Sequence, residues 1–255
     1  MLWPESVIHH ALENDKEKQA VFRSIATETG AIHIIGSFSE QVDEKNFVNF
    51  YNSLFVFYPD GTMGEEIYNK RRPVPFGEYL PMEKLFRLLI PALTEINMLA
   101  RDTQPGQGSS LFSLPFGKVG GLICFDSIYP ALARESTADG ASLLLLSTND
   151  SWFDGSAGKD IHFAHSILRA VENGRTVLRV GTTGITAAVS PGGRVDATLS
   201  RDTSDVLVCD VSLRESQTLY TQTGDLFMIC LLAYITLYPS LLCTVRRKKK
   251  KGASL

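Results

Sequence analysis

"GLICFDSIYP" (121–130) decides how this chain is read. A cysteine, Cys124, stands between a glycine-led apolar run and an acidic turn closed by Pro130. The continuous apolar stretch "KVGGLICFD" (118–126) predicts a strand buried on both faces. The turn after it places Cys124 at the carboxyl end of that strand, where sites in α/β sheets form. Read locally, Cys124 is either a small buried hydrophobe, as most free cysteines are, or a nucleophile presented at a sheet edge.

Downstream, "ASLLLLSTND" (141–150) reads as a second such strand. The intervening "YPALARESTADG" is a short helix, with Pro130 in its first turn and Gly140 at its end. "KDIHFAHSILRAVENGR" (159–175) carries Ile161, Ala164, Ile167, Leu168 and Val171 at helical spacing and is closed by Gly174. "TVLRVGTTG" and "ITAAVSPGGRV" add strands, the latter running into a Pro-Gly-Gly turn. Upstream, "AIHIIGSFSE" (31–40) and "NSLFVFYPDG" (52–61) are strands ended by turn residues. Strands alternating with helices predict an α/β layered domain over 1–218.

The 255 residues, 44% hydrophobic and 21% charged, fit one globular domain. A net charge of -3 gives no reason to expect nucleic acid as a partner. Cys124, Cys209, Cys230 and Cys243 lack C-x-x-C spacing, which argues against a disulfide framework or a zinc site. The start, "MLWPESVIHH", has no basic segment followed by an apolar one, so it is not a signal peptide. It also leaves no room for a full strand before Glu5, and the expectation is that more chain lies upstream.

The C-terminal region differs in kind. Leu226 to Cys243 holds no charged residue, and six basic residues, Arg246 to Lys251, follow. We expect a transmembrane helix over 226–243, kinked at Pro239, and a basic cytoplasmic tail over 244–255. The folded domain would then face outward.

Two further stretches hold candidate site residues. Glu5 follows a rigid apolar pair in "LWPES", and Lys70 lies in "IYNKRRPVPFGEYLP" with Glu78. Each alone reads as a solvated charge, but a proline-fixed turn suits a rigid loop that aims Lys70 and Glu78 into one site.

"WPES", "YNKRRPVPFGEYLP" and "GLICFDSIYP", in that order, resemble the carbon-nitrogen hydrolase (nitrilase) superfamily, whose members use a Glu, Lys, Cys triad. With "STNDSWFDGSAG", "HSILRAVENGRTVLRVGTTGITAAVSPGGRV" and "TLYTQTGDLF", the chain is similar to the membrane-bound branch of that superfamily, the apolipoprotein N-acyltransferases. The resemblance implies a nitrilase-like α-β-β-α sandwich and no cofactor or metal. It implies Glu5 as general base, Lys70 as the cation beside the tetrahedral intermediate, Cys124 as nucleophile and Glu78 as a supporting acid. The implied partners are a membrane phospholipid acyl donor, a diacylglyceryl lipoprotein acceptor and the lipid bilayer, at the bacterial inner membrane with the catalytic domain periplasmic. Phe76, Tyr79, Phe125, Trp152 and Phe153 would line an apolar entrance for acyl chains, or else serve as ordinary core and interfacial residues.

Two departures accompany the resemblance. The family commonly has Cys-Tyr-Glu where this chain has Cys124, Phe125 and Asp126, which removes a hydroxyl and draws a carboxylate back by one methylene. The family's enzyme also carries several transmembrane helices before this domain, so the chain is expected to be a fragment, a late start or a split form. A nitrilase-like amidase, with water in place of the amine acceptor, and an inactive membrane-docked module are the alternative readings.

Overall fold

The computed structural model of the chain describes residues 1–82, 102–200 and 203–252, with the side chains of the last helix described as far as Pro239. Successive strand residues face opposite ways, and this alternation sorts the apolar side chains into three layers. Among the described residues, β1 (Ile8–Ala11), β2 (His33–Val42), β3 (Val48–Phe57) and β4 (Tyr68–Asn69) pair in that order into one sheet. A second sheet, ordered β10-β9-β8-β7-β6-β5, is built from β5 (Leu111–Leu114), β6 (Gly117–Ile123), β7 (Leu143–Thr148), β8 (Thr176–Gly181), β9 (Ala187–Val189) and β10 (Val195–Thr198). Its central strands β6, β7 and β8 run parallel.

Between the sheets, Ile34, Leu54, Val56 and Tyr68 meet Val119, Ile123, Leu143 and Leu145. Their sequence neighbours Ile35, Phe55 and Phe57 turn outward onto Phe22 and Ala26 of α1 (Lys16–Thr29). On the far side, Leu122, Leu144 and Leu146 turn onto Leu132 and Ala133 of α2 (Pro130–Ala138) and Ala170 of α3 (Gly158–Asn173). The layers are helix, sheet, sheet, helix, the sandwich expected from the sequence. Leu143 to Leu146 are buried on both faces of β7, each contributing about 1.5–3 kcal/mol. The paired glycines of β6 let both neighbouring layers close on it. A Cβ on Gly120 would stand 2.8 Å from Ser136 Cβ of α2, and one on Gly121 3.0 Å from the Tyr68 ring.

The apolar spacing that identifies α3 does not mark its buried face. Ile161, Leu168 and Val171 are exposed, whereas His162, Ser166, Arg169, Ala170 and Asn173 are buried. Hydrogen bonds offset the cost of burying these polar groups. Arg169 Nη1 donates to Ser127 O at 2.9 Å, and Ser166 Oγ accepts from Arg179 Nη1 at 3.1 Å. The helix thus turns a polar face toward the Cys124 turn.

After α4 (Leu219–Thr223), α5 (Leu226–Gly252) begins at the residue where the sequence predicts a helix. The expected membrane span over 226–243 is not borne out. No helix of the described residues is long and apolar enough to cross a membrane. Phe227, Ile229, Leu232, Ile235 and Leu237 are exposed along it. Cys243 and the basic tail over 244–255 lie outside the described side chains.

Candidate active site

β6 ends at Ile123, and Cys124 opens a short 3-10 turn with φ +46°. Side-chain-bearing residues rarely adopt this left-handed conformation, which costs about 1–3 kcal/mol and persists only where its surroundings enforce it. Asp126 supplies much of that enforcement. Its buried carboxylate accepts from Ile123 N at 3.0 Å, Arg71 N at 3.2 Å, Arg72 N at 2.8 Å and the Tyr68 hydroxyl at 2.8 Å. Burial pushes its carboxyl up to about 6, against the Lys70 charge and these donors. From the other side, Cys124 O accepts from Ser127 Oγ at 2.8 Å and lies 3.0 Å from His162 Nε2.

Glu5 lies on the turn between the Leu2–Ile34 bridge and β1. The turn rests on β2 at Gly36, where a Cβ would come within 2.3 Å of Pro4 O. Lys70 directly follows β4, its N–H bonded to Asn52 O at 2.7 Å. Its ammonium sits between two buried carboxylates, 3.0 Å from Glu5 Oε1 and 2.8 Å from Glu78 Oε2. Asn52 Nδ2 spans the same pair, at 2.7 Å to Glu5 Oε1 and 3.1 Å to Glu78 Oε1. Glu5 Oε2 accepts from Asn149 N at 2.7 Å, and Glu78 Oε2 from Val74 N at 2.7 Å.

This charge arrangement determines the thiol's resting form. Burial pulls the Lys70 ammonium down, but Glu5, Cys124 and Glu78 more than reverse this and hold it well above the usual lysine range. Burial and the Glu5 charge push Cys124 up to about 12, with Lys70 and the Thr148 hydroxyl opposing them. Lys70, neutralised by two acids, does not make a resting thiolate. Cys124 is a thiol at neutral pH, and its reaction requires a proton acceptor.

The aromatic candidates separate into two groups. Trp152 is exposed and lies over the Glu78 loop, its ring 3.2 Å from where a Gly77 Cβ would stand. Beside it, Phe76 is exposed at φ +64°, a strained conformation for an aromatic residue. Tyr79 is half-buried, its carbonyl accepting from Phe76 N at 2.8 Å. Phe125 instead meets Tyr129 edge-on at 5.6 Å, and Phe153 tilts onto His162 at 5.6 Å. Trp152 and Phe76 are both exposed at the loop that carries Glu78, while the rings of Phe125 and Phe153 meet Tyr129 and His162.

A family model for carbon-nitrogen hydrolases matches residues 1–220. The chain belongs to the carbon-nitrogen hydrolase family. It is 30% identical over 228 residues to an apolipoprotein N-acyltransferase of Geobacter metallireducens, covering 89% of this chain and 42% of that protein. It is 37% identical over 161 residues to an apolipoprotein N-acyltransferase of Gloeobacter violaceus, covering 63% of this chain and 30% of that one. The chain thus spans less than half the length of these relatives. Among solved structures, a carbon-nitrogen hydrolase from Helicobacter pylori G27 superposes with a TM-score of 0.60 at 20% identity, covering 89% of this chain and 76% of the other. A mutant amidase from Nesterenkonia sp. AN1, carrying acrylamide at its active-site cysteine, gives a TM-score of 0.55 at 20% identity, covering 78% and 75%. Both show the shared fold.

Several residues of this carbon-nitrogen hydrolase site escape a reading of the sequence. Asn52 shares a strand face with Leu54 and Val56, and a polar residue in an inward register is the signal that marks it. Arg179 sits in a buried parallel strand, where a charge needs a partner. Its partner is Asp150, at 2.5 Å, and Asp150 Oδ1 is 2.7 Å from His162 Nδ1. Cys124, Asp150 and His162 present ligand atoms within 4.8 Å of one another. Asp150 and His162 already use those atoms on each other, and the Arg179 guanidinium bonded to Asp150 adds a positive charge where a cation would have to bind.

Proposed function

We propose that Cys124 is the nucleophile of an acyl transfer from a phospholipid ester to the N-terminal amine of a diacylglyceryl-cysteine lipoprotein. The observation that carries this reading is the meeting of Glu5, Lys70 and Cys124 in one buried site, with the thiol protonated and a carboxylate nearby. The likeness to the apolipoprotein N-acyltransferases supports the substrate class.

In the first step Cys124 Sγ attacks the ester carbonyl carbon while its proton passes to Glu5. The carbonyl oxygen gains negative charge, which Lys70 and backbone N–H groups at the Cys124 turn stabilise. The C–O bond breaks, Glu5 returns the proton to the leaving oxygen, and a lysophospholipid departs from a thioester on Cys124. In the second step the amine attacks the thioester, Glu5 takes a proton from it, the C–S bond breaks and the thiol is restored. Glu78 and Asn52 hold Lys70 and Glu5 in register throughout. Trp152 and Phe76 form the apolar rim that acyl chains pass. α5, with its exposed apolar side chains, contacts the bilayer, and the catalytic domain lies on the extracytoplasmic side.

The test is mass spectrometry of the chain incubated with phospholipid vesicles, followed by a diacylglyceryl-cysteine peptide. An acyl group is expected on Cys124 and then on the peptide amine. Glu5→Gln should slow thioester formation about 100-fold or more, as loss of a general base does, and Lys70→Met at least as much. Free fatty acid without an acylated peptide would make the chain a hydrolase, and acylation on Cys209 would remove the assignment.

A further inference from the structure

Behind the Cys124 turn lies a buried polar group that the acyl-transfer steps above do not use. His162, on the inward face of α3, places Nε2 3.0 Å from Cys124 O and 2.9 Å from Ser127 Oγ. Its Nδ1 is 2.7 Å from Asp150 Oδ1. Asp150 accepts in addition from the Thr148 hydroxyl at 2.8 Å and from Arg179 Nη2 at 2.5 Å. Arg179 is anchored by Nε to Ile185 O at 3.1 Å. His162, Asp150 and Arg179 are all buried. With one N–H directed from Nδ1 at the Asp150 carboxylate, Nε2 donates to the Cys124 carbonyl in the doubly protonated ring, the form in which both ring nitrogens are donors. The thiol makes its own contact, Sγ lying 4.0 Å from Asn149 O and within 4.8 Å of ligand atoms of Asp150 and His162.

A trans peptide is planar, and its C=O and N–H point in opposite directions. The carbonyl of Cys124 points toward α3, so the N–H of the same peptide, that of Phe125, points away from α3. We propose that His162 is a positioning residue. By donating to Cys124 O it fixes the Cys124–Phe125 peptide plane, so that the Phe125 N–H faces the oxygen of the attacked carbonyl. Asp150 and Arg179 orient His162. The strained φ of Cys124 gives this contact its purpose, because a turn held away from its preferred backbone conformation relaxes when a restraint is lost.

The inference rests on Cys124 being the residue that accepts the acyl group, and the experiment separates the two. Cys124 undergoes two reactions in turn, acylation by 4-nitrophenyl butyrate, which builds charge on a carbonyl oxygen, and alkylation by iodoacetamide, which does not. Each is followed by mass spectrometry in the wild type, His162→Gln and His162→Asn. Glutamine carries an amide N–H where Nε2 stood, and asparagine carries one only where Nδ1 stood. The ratio of acylation to alkylation rates should stay near the wild-type value in His162→Gln and fall about tenfold or more in His162→Asn, in keeping with the loss of an oxyanion donor. Equal ratios in all three proteins would overturn the proposal. A parallel fall of both reactions would also overturn it, by making His162 a base or a purely structural residue. Alkylation of wild-type Cys124 without any acylation would remove the nucleophile assignment, and the proposal with it.

Discussion

The Tyr68 hydroxyl donates to Asp126 Oδ2 at 2.8 Å, and both residues are buried. Tyr68 stands just before Lys70 on the first sheet, and Asp126 just after Cys124 on the second. With the Arg71 and Arg72 N–H groups on the same carboxylate, this hydrogen bond ties the segment of the cation to that of the thiol. Tyr68→Phe leaves a buried carboxylate with one donor fewer and should lower stability by about 1–3 kcal/mol. Urea unfolding measures it, and an unchanged free energy would show that the other donors to Asp126 suffice.

The thiol titration offers a test with opposing signs. Cys124 stands at about 12 through burial first and the Glu5 charge second. The ultraviolet absorbance of its thiolate, taken as wild type minus Cys124→Ala, should appear only in strong alkali. Glu5→Gln removes the adjacent negative charge and should bring the titration to lower pH, yet the same variant should be slower in acylation. A faster Glu5→Gln enzyme would mean that thiolate content, and not proton transfer, limits the reaction.

Asp150 gives the acid limb. Burial alone would raise its carboxyl, but the hydrogen bond from His162 and the Arg179 charge hold it down at about 2, against 3.8 for the free side chain. The unfolded chain therefore binds this proton first as pH falls. The stabilisation is full above about pH 4 and is lost as pH falls toward about 2, amounting to about 2 kcal/mol. In Asp150→Asn, acid unfolding should lose this component, which stability measured in buffers across that window would reveal. An unaltered acid profile would place the sensitivity elsewhere.

Glu78 is one of two carboxylates on Lys70, and the two should differ in what they support. Glu78→Ala opens a buried pair and should cost about 3–5 kcal/mol. Glu78→Gln, which retains an acceptor for Val74 N, should cost less while still leaving Lys70 short of one counter-charge. Equal losses in both variants would assign the effect to the lost charge and not to packing, which glutamine retains.

The layered α/β domain was legible because its central strands are unmistakable, and the sandwich itself came from the family resemblance. A run such as "LLLLST" has no polar face, so it must be covered on both sides, and two layers of cover follow. The α3 stripe misled for a physical reason. Periodicity reports where apolar residues recur, but the inward face of that helix meets the Cys124 turn and Arg179, where unpaired carbonyls and a guanidinium need polar partners. Glu5, Lys70, Glu78 and Cys124 were legible as candidates because they stand in rigid or glycine-rich contexts, and they are neighbours in space. Asn52 and His162 were not. Asn52 bridges Glu5 and Glu78, and His162 meets Asp150, Ser127 and Cys124, contacts across the fold that no local motif announces. The run Leu226–Cys243 was read as a span from its lack of charge, its length near the lower limit for crossing a bilayer and the basic residues after it, and no helix of the described residues is long and apolar enough to bear this out.

The site straddles the seam between the two sheets, with Glu5, Asn52, Lys70 and Glu78 on one side and Cys124 and Asn149 on the other. Catalysis is then a reporter of cohesion between layers. A slight parting of the sheets would break the Asn149 N to Glu5 contact while every strand and helix stayed intact. Heated slowly, the protein should fall silent before its circular dichroism changes, and a compound wedged into the seam far from Cys124 would inhibit without resembling any substrate.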